Sequence, residues 1–382
     1  MPQSPTLPMR VLLLHNRYRA EGGEERSVAE IASLLERRGH AVGLIERFSG
    51  GLGRVRAGRA MLHGGEDATA VADAIRAHRA EVVHAHNLHP LFGWRSLAVA
   101  RAAGARTVLH LHNFRLFCAI GVAYRDGSPC FRCRERHTLP GLRLRCRGSL
   151  AEAAVYAASL RSQQPRLFEH VDQFVAVSEA TAVRLAELGL PAERVAALPN
   201  FCADDRLAAS STADAGRYAL AVGRLVEEKG FELAIEAAEA VGVPLVIVGD
   251  GPEESRLRRA ASRGEVRFCG RIPAAELDRI RSDAAVLLAP SRWEEPCPYA
   301  VLDAMGAGVP VLASERGGLP GLVGAEATVR ADTVEAWASA LGELWRDPEL
   351  RRRRGDAALE RAREHFGEER FYERLVALYT AG

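Results

Sequence analysis

The chain is expected to fold as a doubly wound α/β protein in two domains, and three observations carry that expectation. Short apolar runs of strand length alternate with segments of helical apolar period along most of the sequence. The alternation stops once, between Ala203 and Gly216, where the residues are small, polar and rich in Ser and Asp, and then it resumes. The length, 382 residues, suits two or three domains. Strand–helix–strand repetition implies crossover connections, hence parallel sheets covered on both faces.

In the first half, Arg10–His15 reads as a buried strand. Glu24–Gly39 reads as an amphipathic helix, because Val28, Ile31, Leu34 and Leu35 recur at helical spacing. Further strands are expected at Ala41–Ile45, Val82–Ala85, Thr107–Leu111, Gln173–Val177 and Val195–Leu198, with helices over Ala68–His78, Leu91–Ala103 and Glu179–Leu188. After the break, strands are expected at Tyr218–Val222, Leu245–Val248, Val266–Phe268, Ala285–Leu288 and Val309–Ala313. Helices are expected at Phe231–Val241, Glu253–Ser262, Ala274–Ser282, Tyr299–Gly306 and Thr333–Leu344, and the Arg- and Glu-rich end, Pro348–Tyr379, reads as helical. The domains are therefore placed at 9–202, with a segment lacking periodicity inserted at 113–148, and at 216–362, with 363–382 as a helical segment that packs back on the first domain. Doubly wound sheets bind ligands outside the carboxyl ends of their strands, so the two domains are expected to face each other across a binding cleft.

Composition excludes several classes. Lys and Arg total 51 against 49 acidic residues, and a net charge of +2 argues against bulk nucleic-acid binding. Aromatic residues are only 6%, which argues against a stacking platform for single strands. No apolar stretch reaches the roughly 18–20 residues that a membrane span needs. Seven cysteines behind a short polar N-terminus, Met1–Pro8, point to a reducing cytoplasm, with contact at the inner face of the membrane left open. Lys229 is the only lysine in the chain. Where arginine so dominates, a retained lysine suits a site that needs a compact ammonium with three rotatable donors, as a phosphate does, although one lysine also has to fall somewhere.

The second half holds the densest chemistry. Strand Tyr218–Val222 runs into Gly223-Arg224, and Lys229-Gly230 opens the next helix. Two cations beside a helix N-terminus read either as a diphosphate clamp or as ordinary surface charge. Gly249-Asp250-Gly251 follows the next strand, as a tight turn or a close backbone approach to a ligand. Glu295 stands in the loop before the helix that begins near Pro298, Tyr299 and Ala300, and Asp303 lies about one and a half turns into that helix. Acids so placed can accept hydrogen bonds from sugar and ribose hydroxyls, with the amides between them free for phosphate, or they can simply cap the helix.

In order and register, Gly223-Arg224 with Lys229-Gly230, Val-Gly249-Asp250-Gly251-Pro, the Glu295-x7-Asp303 run, Ala-Met-Gly-Ala-Gly-Val-Pro-Val and Gly317-Gly318-Leu-Pro320 resemble the family 4 retaining glycosyltransferases of the GT-B fold, over almost the whole chain. The resemblance implies transfer of a sugar from a nucleotide-diphosphate donor, UDP or GDP, to a glycan, lipid-linked or small-molecule acceptor with retention at the anomeric carbon. It places Arg224 and Lys229 on the diphosphate and Glu295 on the donor-sugar hydroxyls. It assigns donor contacts to Gly22, Gly23, Gly223, Gly249, Asp250, Gly251, Pro298, Tyr299, Ala300 and Asp303, and sets His112 beside the reaction centre. His86, Asn87 and Arg115 are candidates for the acceptor. Two departures stand out: Asp303 replaces the usual Glu, and Gly321 stands where Gly-Gly-Leu-Pro is often followed by Glu. No convincing carboxylate for a double displacement is apparent, and the resemblance implies same-face attack, with the leaving phosphate helping to take the acceptor proton. No catalytic metal is expected, because no Asp-x-Asp motif is present.

Cys118, Cys130, Cys133 and Cys146 lie in the inserted segment with one C-x2-C pair, a set suited to structural zinc, to free or redox thiols or to an iron–sulfur cluster. The same segment carries eight arginines, suited to an anionic or lipid-linked acceptor or to a solvated face. Other readings of the whole are a nucleotide-sugar epimerase and a non-catalytic nucleotide-sugar-binding protein; a phosphorylase would need Lys229 as a pyridoxal-phosphate lysine, in a turn that suits phosphate instead.

Overall fold

Both stretches of alternation fold into six-stranded parallel sheets in the computed structural model, which describes residues 7–17 and 22–381. The chain divides into two units, the first comprising Met1–Ala123, Phe131–Leu198 and Tyr372–Gly382, the second Tyr124–Cys130 and Pro199–Phe371.

The first unit contains β1 (Arg10–Arg17), α1 (Gly23–Arg37), β2 (Ala41–Phe48), α2 (Arg54–His63), α3 (Ala68–His78), β3 (Val82–Ala85), α4 (Gly93–Ala102) and β4 (Arg106–Leu111). The inserted segment follows, with a short hairpin of β5 (Tyr124–Arg125) and β6 (Ser128–Pro129) and then α5 (Leu139–Arg143). It gives way to α6 (Leu150–Glu169), β7 (Gln173–Ala176), α7 (Glu179–Glu187) and β8 (Val195–Ala197). The sheet order is β2-β1-β3-β4-β7-β8. Strands β3 and β4 are buried along nearly their whole length, which is why they read as unbroken apolar runs.

Helices α2 and α6 escape the sequence reading. In α2 only Ala60 and Met61 are buried, and in the 20-residue α6 a proline, Pro165, breaks the pattern. Neither shows a wide apolar stripe. The hairpin Tyr124–Pro129 lies in the second unit, although the insertion was expected to belong to the first.

The second unit contains β9 (Tyr218–Val222), α8 (Phe231–Val241), β10 (Leu245–Val248), α9 (Glu254–Ala260), β11 (Val266–Phe268), α10 (Ala274–Ser282) and β12 (Ala284–Ala289). It continues with α11 (Tyr299–Gly306), β13 (Val311–Ser314), α12 (Leu319–Val323), β14 (Thr328–Val329), α13 (Val334–Arg346) and α14 (Pro348–Phe366), and α15 (Glu368–Thr380) begins in it and passes into the first unit at Tyr372. Its order, β11-β10-β9-β12-β13-β14, reverses direction beside β9, the switch point at which such sheets bind ligands.

The segment expected as a linker, 203–216, is fixed to the second unit instead. Arg351, 5% exposed, donates to the carbonyls of Ala213 (2.9 Å) and Asp214 (2.7 Å), and Ser211 Oγ donates to Gly308 O at 2.6 Å. Irregular backbone that is hydrogen-bonded carries no periodicity for a sequence reading to find. The first unit regains the chain at Tyr372 rather than at 363. There Tyr372 Oη meets His40 Nε2 at 2.8 Å, and Tyr379 Oη meets His84 Nδ1 at 2.7 Å.

Trp337 of α13 is fully buried in the second unit's core among Ala219, Ile235, Ile247 and Leu341. Trp337→Ala is expected to destabilise the protein by about 3–5 kcal/mol through the cavity it leaves. Trp337→Phe should cost much less, since the indole N–H has no hydrogen-bond partner to lose. Urea denaturation of the two variants measures the difference.

Candidate functional site

In the second unit, the loops after β9 and β10 are built around glycines. Gly249 has a φ of 136°, and a Cβ there would stand 1.9 Å from Gly223 O; at Gly251 it would stand 2.3 Å from Leu225 O. Leu225 N donates to Asp250 O at 2.7 Å, while the Asp250 side chain is exposed. These contacts give the glycine-rich turn a packing role whatever it binds. Gly223-Arg224 and Lys229 fall at the end of β9, with Arg224 exposed and 3.4 Å from Glu228.

Lys229 and Glu295 are partners. The ammonium lies 2.8 Å and 2.7 Å from the two carboxylate oxygens, and the Glu295 side chain is only 6% exposed. Ser291 Oγ and Trp293 Nε1 each donate to Glu295 Oε2 at 2.8 Å. Three residues thus fix one carboxylate, and two of them are supplied within four positions of it in sequence. Charge-assisted bonds of this kind are the strong ones. Ser291 and Trp293 went unassigned in the sequence, although the Ser-x-Trp-x-Glu spacing holds them. The Gly317-Gly318 loop braces the same place: Gly318 N donates to Glu295 O at 2.7 Å, and a Cβ on Gly317 would stand 2.5 Å from that oxygen. At Gly321 a Cβ would meet nothing within 4 Å.

Pro298 caps α11, so the first-turn amides of Tyr299 and Ala300 stand at its positive end. Asp303, 7% exposed, faces two arginines, Arg281 at 3.4 Å and Arg206 at 3.5 Å. The shorter acid is thereby held by cations of its own chain. Cys297 is buried, and burial pushes its thiol up to about 12, which makes it inert.

In the first unit, Gly22 and Gly23 lead into α1, with Glu25 accepting from Gly22 N at 2.8 Å; Glu21 of that loop lies outside the described residues. Burial pushes the Glu24 carboxyl up to about 7, against the opposing pull of His15 and Arg115. Glu24, His89, His112, Asn113 and Arg115 line one pocket. Asn87 is engaged by backbone: its Nδ2 donates to Asn16 O at 2.6 Å and its Oδ1 accepts from His89 N at 3.0 Å. His86 is 3% exposed, with Nδ1 2.9 Å from His112 Nε2. His112, the strand-end residue, is half-buried, and burial holds its pKa well below the ordinary value, as it does for His86 and His110. His15, His84 and Tyr379 complete this surrounding and were not singled out in the sequence. His15 and His84 read there as strand residues, and Tyr379 arrives from 295 positions away.

None of the seven cysteines forms a disulfide. Cys130 belongs to the second unit, and Cys118, Cys133 and Cys146 to the first. Burial raises the Cys118 thiol, and Cys146 lies near enough to raise it further.

Two family models cover the chain in succession: Glycosyltransferase Family 4 over residues 21–206 and Glycosyl transferases group 1 over 205–361. The 2-deoxystreptamine N-acetyl-D-glucosaminyltransferase of Streptomyces fradiae is 30% identical over 339 residues, 78% of this chain and 73% of the relative. The putative colanic acid biosynthesis glycosyltransferase WcaL of Salmonella typhimurium is 31% identical over 200 residues, 47% of this chain and 49% of the relative. The chain thus spans about half the length of several curated relatives it matches. Among solved structures, Anabaena Alr3699/HepE in complex with UDP and glucose is similar over 98% of this chain and all of that one, at a TM-score of 0.68 and 17% identity. The fold is accordingly GT-B, two Rossmann-like α/β domains.

Gly317→Ala is expected to loosen the Glu295 loop, because the added methyl meets Glu295 O and the residue sits at φ 54°. Hydrogen exchange at the backbone amides of 291–299 should accelerate about tenfold or more, a loss of about 1.4 kcal/mol in local stability. Gly321→Ala, with open space around it, should leave those amides unchanged.

Proposed function

Since the chain belongs to glycosyltransferase family 4, we propose that it moves a sugar from a nucleotide-diphosphate donor to an acceptor hydroxyl with retention at the anomeric carbon. The observation that carries this reading is the Lys229–Glu295 pair at the switch-point side of the second sheet, with the exposed Arg224 beside the same strand end. Structures related in fold bear UDP, UDP-glucose or ADP in their own sites, which supports a nucleotide-diphosphate sugar here.

On this reading, the diphosphate draws the Lys229 ammonium and the Arg224 guanidinium, and the Glu295 oxygens turn to the donor-sugar hydroxyls. The C1–O bond to the diphosphate breaks as the acceptor oxygen bonds to C1 from the same face. The acceptor proton passes to a leaving-group phosphate oxygen, and the electron pair of the broken bond stays on the diphosphate. Lys229, Arg224 and the α11 amides stabilise the negative charge that grows there, an electrostatic role of the kind that is often the largest in catalysis. Glu295 is an unsuitable nucleophile, since Lys229, Ser291 and Trp293 all donate to it. The eight arginines of 113–148 favour an acceptor that carries a phosphate-linked carrier, as at a membrane face.

A second reading, a nucleotide-sugar-binding protein without turnover, draws on Asp303, which Arg281 and Arg206 hold in place of a ribose. Turnover of any UDP-, GDP- or ADP-sugar in a donor screen ends that second reading; binding without turnover of any donor ends the first. With the active donor, Lys229→Ala should lower kcat/KM by about 10²–10³, the cost of removing one donor aimed at developing charge. Lys229→Arg should recover little, because a planar fork cannot replace the ammonium between Glu295 and phosphate. Undiminished transfer by Lys229→Ala overturns the clamp. Equal transfer to a phosphate-linked and a free glycan acceptor overturns the role given to the arginines.

A further inference from the structure

Histidines alternate at the carboxyl ends of β3 and β4: His84 on β3 with His86 just past its end, and His110 on β4 with His112 just past its end. Alternate residues share a sheet face. The parallel register pairs Ala85 with Leu109, so His86 and His110 come next to each other. The rings lie close: centroids are 4.4 Å apart for His84 and His86, 5.3 Å for His84 and His110, and 5.2 Å for His86 and His110. Their exposures are 0%, 3% and 1%. One ring nitrogen from each lies within 4.8 Å of the others, the one such trio of ligating groups among the described residues.

The hydrogen bonds sort the nitrogens into two sets. Two nitrogens are engaged: His84 Nδ1 by Tyr379 Oη, and His86 Nδ1 by His112 Nε2. His84 Nε2 and His86 Nε2 are buried without a partner, and neither nitrogen of His110 makes a hydrogen bond of good geometry, although the Leu198 backbone lies beside its ring. Leaving a buried polar atom unpaired costs about 1–3 kcal/mol, so three rings that each hold an unpaired nitrogen, and that bring one nitrogen apiece within 4.8 Å of the others, call for something that satisfies them together. We propose that His84, His86 and His110 bind one late first-row transition-metal ion, zinc foremost, at a three-imidazole site inside the first unit. Imidazole nitrogen suits these ions. The Tyr379 and His112 contacts then take the place that outer hydrogen bonds hold around metal-bound histidine, fixing ring orientation and tautomer. The rings are stacked, with planes 11–29° apart. Zinc–nitrogen bonds of about 2.0–2.1 Å require the nitrogens to close to about 3.4 Å, so the rings turn inward on binding. The resemblance to glycosyltransferases gives roles to His86 and His112 but none to His84 or His110, and metal uptake is read without sugar transfer.

The test uses the full chain, stripped with a chelator and titrated with zinc chloride and, separately, cobalt chloride. One equivalent is expected, with cobalt giving the d–d bands of a low-coordinate nitrogen site and no thiolate charge-transfer absorption. That binding should survive Ser replacement of Cys118, Cys130, Cys133 and Cys146. It should weaken at least tenfold in His84→Gln and in His110→Gln, and about 10–100-fold in Tyr379→Phe, the range for loss of an outer-shell partner. X-ray absorption at the zinc edge of the unaltered chain counts ligands without any variant and is expected to return three imidazoles. No metal uptake, a shell containing sulfur, or affinity unmoved by folded His84→Gln and His110→Gln overturns the proposal.

Discussion

The parallel pairing of β9 with β10 on one side and β12 on the other decides where the charged groups of the second unit can go. A sheet covered on both faces accepts almost no polarity along its strands, so polar side chains collect where the strands end. Three successive loops leave that edge, and each carries part of one arrangement: Gly223 and Lys229, then Gly249 and Gly251, then Ser291, Trp293 and Glu295. The backbones of the first two loops touch where a side chain would not fit, and Gly318 N ties a further loop to Glu295 O. The carboxylate is thereby held from both backbone and side chain, and its partner ammonium is held through it.

The first unit places polarity differently. Its imidazoles sit on the strands themselves, at near-zero exposure, and burial keeps them neutral. Neutral rings can be stacked inside a sheet face at a cost far below that of a buried charge. The second unit instead buries a carboxylate and offsets it with an ammonium and two neutral donors, the condition under which a buried ion pair is tolerable. The two units, both six-stranded parallel sheets but with different strand orders, use two solutions to the same desolvation problem.

Most of the fold was legible because parallel strands and packed helices leave periodic apolar traces. Strands Val82–Ala85, Tyr218–Val222 and Leu245–Val248 appear where the sequence puts them. Helix α2, with two buried residues, leaves almost no trace, and 203–216 is ordered by Arg351 through backbone carbonyls that no side-chain pattern records. Of the site, Lys229, Arg224 and Glu295 were legible as an ordered set of motifs around strand ends. That Lys229 and Glu295 bind each other, and that Asp303 is held by Arg281 and Arg206, depends on residues 66, 22 and 97 positions apart brought together only by folding. The convergence of His84, His86 and His110 was partly visible as alternation within each strand. The register that joins the strands was not.

A chain with one lysine has one ε-amine, and that amine sits at 22% exposure against Glu295. Acylating or aldehyde reagents that modify lysine therefore have a single side-chain target in the whole molecule. A paired ammonium is a poor nucleophile, so its rate of modification reports directly whether the pair is closed or open. The composition, read first as an oddity of arginine usage, thus gives this loop a built-in chemical reporter that needs no engineered label.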